Sequence, residues 1–186
     1  NGRLYLLDAF GTVYTTKWDM TYPCSTWDGK TDSYRPGQDH AQMLQLWKDY
    51  DSEKPVNYDV YGYYILSKDG TIYACGNANR EFTRLNQNFS VSDDRYAKAF
   101  IVDQQKGIIM LDSYGTVYTS GSFEELESLN LSQNLARDIQ FLPDYSGYTI
   151  LLGNGSMYTF SFGEKQINAT ISIATLKDNY LVGEQI

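Results

Sequence analysis

A phrase of glycine, Thr or Ser, an aliphatic residue and tyrosine recurs as Gly11-Thr12-Val13-Tyr14, Gly70-Thr71-Ile72-Tyr73, Gly115-Thr116-Val117-Tyr118 and Gly155-Ser156-Met157-Tyr158. Each copy follows an apolar run: Leu4 to Leu7, Tyr63 to Leu66, Ile108 to Leu111 and Tyr148 to Leu152. Apolar run, tight turn and β-favouring run make a hairpin, and Asp69-Gly70 and Asn154-Gly155 are strong hairpin signals. Hairpins are therefore predicted near residues 3–16, 62–75, 107–120 and 147–160. The four glycines are expected at positive φ, which only glycine adopts without strain. The four tyrosines are expected in matching places, mostly buried between neighbouring units.

The glycines stand 59, 45 and 40 residues apart. Periods of about 40 to 50 residues with a hairpin in each are those of propeller blades. Apolar segments Ala99 to Asp103 and Asp138 to Leu142 fit innermost strands, with Val56 to Val60 the corresponding stretch of the second unit. Glu81 to Asn86 and Glu125 to Asn130 fit outer edge strands. Ile171 to Leu176 reads as another inner strand and Tyr180 to Glu184 as its neighbour. The expected fold is all-β: one domain, residues 1–186, a β-propeller of four-stranded antiparallel blades. Four or five blades, or a segment of a larger ring, fit a chain that opens inside a unit and without a methionine.

The first interval contains an insertion, residues 17–54, that holds all 3 tryptophans. Within it His40 to Lys48 reads as a short helix capped by Asp39, with Met43, Leu44 and Trp47 on one face. Trp47 is expected in a satellite core under that helix. Trp18 and Trp27 lie near Pro23, Asp28 and Gly29, where no helical face buries them together. With Tyr22 and Tyr34 they are the candidate exposed binding patch.

Net charge −8 and a pI near 4.5 argue against an electrostatic grip on nucleic acid or anionic lipid. No stretch approaches the ~20 apolar residues of a membrane-crossing helix, and no basic-then-apolar leader opens the chain. Cys24 and Cys75, the only cysteines, are either a disulfide worth about 4 kcal/mol in the chain-entropy model or two small buried thiols. Sequons at Asn88, Asn130, Asn154 and Asn168 point to an extracytoplasmic, secreted or cell-surface protein.

Chemistry-bearing patterns are few. The one histidine, His40, has no nucleophile beside it and reads as a surface residue. Asp8, Asp69 and Asp112 sit at turns, where a carboxylate caps its own backbone N–H groups. The run Asp28 to Asp39 lacks the glycine and terminal glutamate of a calcium loop, so no metal or cofactor is expected.

Ser67-Lys68-Asp69-Gly70-Thr71-Ile72-Tyr73-Ala74-Cys75-Gly76-Asn77 resembles the blade phrase of RCC1-like propellers, and the Gly-x-aliphatic-Tyr phrase resembles the blades of tachylectin-like sugar-binding propellers. The resemblance implies a propeller architecture and carries no activity over. The expected function is a non-catalytic binding or scaffolding module that recognises a protein partner through loop surfaces. A carbohydrate-binding propeller is the alternative, and a propeller glycosidase or lyase the third reading.

Overall fold

The computed structural model describes residues 4–15, 24–25, 40–48, 60–85, 89–90, 93–103, 105–123, 125–162 and 169–171. These residues form strands β1 (Tyr5–Leu7), β2 (Val13–Thr15), β3 (Cys24–Ser25), β4 (Ala41–Lys48), β5 (Val60–Ser67), β6 (Ile72–Gly76), β7 (Ala97–Asp103), β8 (Gly107–Asp112), β9 (Val117–Thr119), β10 (Ala136–Phe141), β11 (Gly147–Leu152), β12 (Met157–Ser161) and β13 (Ala169–Ile171), with one 3₁₀ turn at Arg80–Thr83. Among the described residues there is no α-helix, and the protein is all-β. The strands make four antiparallel sheets in chain order: β1-β2, β3-β6-β5-β4, β7-β8-β9 and β10-β11-β12-β13.

The repeated phrase builds one turn four times. Gly11, Gly70, Gly115 and Gly155 have φ of 86, 90, 81 and 85°. In each turn the glycine N–H donates to the carbonyl three residues back, on Asp8, Ser67, Asp112 and Leu152 respectively. The N–H of that earlier residue donates in return to the carbonyl of Thr12, Thr71, Thr116 or Ser156. A side chain L-residue in this conformation would be strained, which is why glycine recurs there.

Each interface between consecutive sheets is apolar. Tyr63 and Ile65 of the second sheet meet Leu7 and Val13 of the first. Tyr64, Leu66, Ile72 and Ala74 meet Phe100, Ile108 and Met110 of the third sheet. Ile109 and Leu111 meet Ile139, Tyr148 and Ile150 of the fourth. Alternate residues of β5 and β8 thus enter opposite interfaces, and the strands read as unbroken apolar runs because both faces are covered. The first strands in order, β4, β7 and β10, lie side by side.

A small repeated device fixes those three strands. Each begins with an alanine, Ala41, Ala97 or Ala136, and each has a register shift just after it, at Gln42, Lys98 and Arg137. The alanine N–H donates to a turn carbonyl of the preceding sheet, from Ala9, Lys68 and Ser113, at 3.0 to 3.1 Å. A second N–H, from Lys68, Ser113 or Gly153, returns to the carbonyl of His40, Tyr96 or Leu135 within its own sheet. Backbone polar groups at these junctions are therefore satisfied from sheet to sheet.

Several expectations need correction. His40 to Lys48 is no helix: Ala41 to Lys48 is β4, and Asp39 lies outside the described residues. Helix propensity is high in Ala-Gln-Met-Leu-Gln-Leu-Trp-Lys, yet pairing with β5 and burial on two sides override it. Met43 and Trp47, four apart, share a strand face as they would a helix face, and both pack toward the third sheet. Leu44 goes the other way, with Leu46, toward the first sheet. Trp47 is the predicted core residue, T-shaped to Tyr64 at 5.7 Å and to Phe82 at 6.1 Å.

Val60 opens β5, whose partner on that side is β4; residues 56–59 lie outside the described residues. Of the predicted edge strand Glu81 to Asn86, residues 81–85 form no strand and Asn86 lies outside the described residues; Asn79 caps a 3₁₀ turn there through its Oδ1 and the Glu81 N–H at 3.0 Å. Glu125 to Asn130 runs irregularly beside the third turn, with Leu129 N–H donating to the Gly115 carbonyl and Leu131 N–H to that of Tyr114. The outer strand of the second sheet is instead β3, drawn from residues ahead of β4, and Ile171 closes the outer strand of the fourth. Residues 172–176 and Tyr180 to Glu184 lie outside the described residues.

The repeated tyrosines keep matching registers: Leu6 opposite Tyr14, Ile65 opposite Tyr73, Met110 opposite Tyr118 and Ile150 opposite Tyr158. Tyr73, Tyr118 and Tyr158 each border the interface with the preceding sheet. They are half-buried and Tyr14 is exposed, so mostly buried was too strong. Their hydroxyls draw them to the rim, where Tyr14 and Tyr118 donate to the carboxylates of Asp8 and Asp112 at 3.2 and 3.1 Å. Cys75 is disulfide-bonded, and the only other cysteine, Cys24, is its cross-strand backbone partner.

Candidate functional site

At the end of the sheets away from the repeated turns, glycines let the second and third strands approach closely. A Cβ on Gly62, Gly107 or Gly147 would collide with the carbonyl of Cys75, Ser120 or Phe160. Each stands eight residues before its turn glycine, a Gly-x7-Gly spacing present in three copies that would have marked them in the sequence. The close approach returns the chain on itself: Ser122 N–H donates to the Lys106 carbonyl at 2.7 Å and Phe162 N–H to the Ser146 carbonyl at 2.8 Å.

These returns gather aromatic rings from the third and fourth sheets. Phe123 stacks on Phe141 at 6.4 Å and meets Phe162 at 6.0 Å. Phe162 also meets Tyr148 at 5.9 Å, and Tyr145 lies 5.6 Å from Phe141. The Lys106 ammonium stands 5.3 Å from the Phe162 ring centroid and 5.9 Å from that of Phe123, within cation–π range. Tyr145 is 63% exposed. Its φ of 57° puts an aromatic residue in the backbone conformation for which the four repeated turns use glycine.

The Tyr145 loop is ordered by Asp144. Its carboxylate accepts from the Ser146 hydroxyl at 2.6 Å and the Ser146 N–H at 3.0 Å. Those bonds favour the charged form and hold the Asp144 pKa below the usual carboxylate range. The site offers an exposed ring on an aromatic bed beside one cation: hardware for stacking and apolar contact. The signal in the sequence is that Phe123, Phe141, Phe160 and Phe162 are half of the 8 phenylalanines.

The predicted binding residues Trp18, Tyr22, Trp27 and Tyr34 lie outside the described residues. Between Tyr22 and Trp27 in sequence, β3 is fixed to the edge of the second sheet. The turn carboxylates are structural, as expected. Asp112 accepts from the N–H groups of Tyr114 and Thr116, the Tyr118 hydroxyl and Arg95 Nε, the last at 2.8 Å. Asp8 accepts from Phe10 N–H, Thr12 N–H and the Tyr14 hydroxyl. Where the leading residue is Ser67 or Leu152, Asp69 and Asn154 cap the turn instead, through Thr71 N–H and Ser156 N–H.

His40 contributes a backbone carbonyl, which accepts from Lys68 N–H at 2.7 Å. Among the described residues no three His, Cys, Asp or Glu side chains converge on a metal-sized space. No helix of the described residues is long and apolar enough to cross a membrane. No protein-family model, curated protein or solved structure matches this chain.

Proposed function

We propose that the chain is a non-catalytic binding module: a β-propeller whose blades are the four stacked sheets and whose loop surface recognises a protein partner. Support for the propeller comes from sheets that stack in chain order with their first strands side by side. Support for binding rests on Tyr145, an exposed aromatic residue held at positive φ. Such a residue costs about 1 kcal/mol or more relative to glycine, and strain retained at an exposed position motivates a role in recognition. A rigid ring ringed by packed aromatics is the usual form of an interface hot spot. Trp18, Tyr22, Trp27 and Tyr34 remain the second element of the proposed binding surface.

The same exposed ring favours one alternative, stacking on the C–H face of a sugar. An oxidising, extracytoplasmic location is part of the proposal, supported by the disulfide at Cys75.

The test uses the full chain with a photoreactive phenylalanine analogue at position 145, beside Tyr145→Gly. A discrete protein adduct, formed at 145 but not at an identical label placed at Tyr14, and loss of the same partner by Tyr145→Gly while thermal stability holds or rises, is the expected result. Glycan-array binding that Tyr145→Gly abolishes would replace the protein reading with the sugar one. The absence of both a discrete adduct and glycan binding would overturn both readings.

A further inference from the structure

The opposite end of the sheets carries a different cluster, built by the repeated device that seats β4, β7 and β10. The residue before each leading alanine is His40, Tyr96 or Leu135, and the residue at each register shift is Gln42, Lys98 or Arg137. In the third sheet Tyr96 and Lys98 are therefore paired around Ala97. The Lys98 ammonium stands 5.5 Å from the centre of the Tyr96 ring. The Lys68 ammonium, from the turn of the second sheet, stands 4.9 Å from the same ring.

Arg137, from the fourth sheet, adds its charge to the surroundings of the phenol. Its guanidinium donates to Asn134 Oδ1 at 3.0 Å and to the Ala136 carbonyl at 2.9 Å. It also lies over Gly153, where an added Cβ would come within 2.9 Å of Arg137 Nε. Asn134, in turn, donates from Nδ2 to the Asp94 carbonyl at 3.2 Å. Lys68 is held at its backbone on both sides, by His40 and by Ala97. The three cations thus come from three consecutive sheets.

Among the described residues no carboxylate forms an ion pair with Lys68, Lys98 or Arg137, and Asp112 is occupied by Arg95. The neighbouring Asp138 carboxylate is turned to the Ile139 N–H and the Gln140 side chain. Burial raises the Tyr96 pKa, yet Asn134, Lys98 and Arg137 outweigh it and hold the phenol below its ordinary value. In a chain of net charge −8, three like charges facing one phenol make a local positive potential.

We propose that Lys68, Tyr96, Lys98, Asn134 and Arg137 form a binding site for a small oxyanion, the carboxylate, sulfate or phosphate group of a ligand. Lys ammoniums serve as point charges, the Arg guanidinium as a directed donor, and the phenol as a neutral hydrogen-bond donor. The site is independent of the Tyr145 surface, which lies at the other end of the sheets.

The experiment is an NMR titration of the full chain with sodium sulfate, phosphate and glucuronate at constant ionic strength, following the Tyr96 ring and the lysine side chains. Saturable shifts with Kd on the order of millimolar or tighter are expected for at least one probe. Which probe binds best tells an inorganic-type anion from a sugar carboxylate. Lys68→Met and Lys98→Met, which keep the aliphatic stems, should each weaken binding about fivefold or more. Arg80→Met, in the 3₁₀ turn that follows β6, should leave it unchanged. Shifts that never saturate, that chloride reproduces equally, or that survive both Met variants overturn the proposal.

Discussion

The first and third sheets carry nearly the same phrase and the same turn, yet one is dry and the other wet. Leu6 opposite Tyr14 is the register equivalent of Met110 opposite Tyr118. Met110 is 0% exposed, whereas Leu6 is 55% exposed, as are Leu4, Phe10 and Tyr14 at 54 to 58%. Asp8 and Asp112 hold their turns by the same bonds, so local structure is not what differs. Burial comes from the second sheet covering one face of the third and the fourth sheet covering its other face. The hairpin is thus a local property of the sequence, and the core is a property of stacking, as in repeat proteins generally.

The sharpest way to break this comparison is to truncate the equivalent pair. Met110→Ala removes a fully buried side chain and should destabilise by about 3 kcal/mol, while Leu6→Ala should change stability by under ~0.5 kcal/mol. Urea denaturation of the two variants decides it. A Leu6→Ala loss comparable with that of Met110→Ala would mean that the face of the first sheet is covered in solution by something other than the described residues.

A smaller effect separates two turns with the same backbone. Gly115 and Gly155 share positive φ, but an added Cβ on Gly115 would come 3.0 Å from the Leu129 Cβ and 3.3 Å from Leu131, whereas on Gly155 it meets nothing within 4 Å. Gly155→Ala should cost about 1 kcal/mol, for φ alone, and Gly115→Ala about 2 kcal/mol. Equal losses would show that backbone conformation is the whole effect and that the segment beside the third turn yields freely.

The sequence shows the turns well and the inner strands poorly, for a physical reason. Gly-Thr-Val-Tyr acts within a few residues, so its geometry travels with it. The strand at Ala41 to Lys48 is decided by partners far away in sequence: Leu46 pairs with Tyr63, and the Phe100 N–H donates to Met43 Sδ at 3.4 Å. Helix propensity in that stretch has no local rival, and only the stacked neighbours defeat it. The aromatic bed around Tyr145 was hidden similarly, since Phe123, Phe141 and Phe162 come from separate returns of the chain. The cation cluster at Tyr96 depends on register shifts that no local pattern announces.

The least costly test of the comparison is electrostatic and needs no loss of packing. Burial raises the Asp8 pKa, but the Thr12 backbone and side chain, the Tyr14 hydroxyl and the Phe10 N–H together outweigh it, and the carboxyl titrates below its ordinary value. A carboxylate depressed in the folded state stabilises fully above its unfolded pKa, and that contribution fades as pH falls through the lower, folded value. The window is therefore acidic, beginning near pH ~4, the ordinary carboxylate range. Asp8 sits on the open side of the molecule, where water screens the interaction, so the effect on stability is small while the titration itself stays visible. Tyr14→Phe removes one of the donors and should move the Asp8 carboxyl resonance, followed by NMR against pH, back toward the ordinary range. An unchanged Asp8 titration in Tyr14→Phe would show that the backbone N–H groups alone set it, and that the tyrosine of the first repeat, unlike Tyr118 beside Arg95 and Asp112, is idle at its rim.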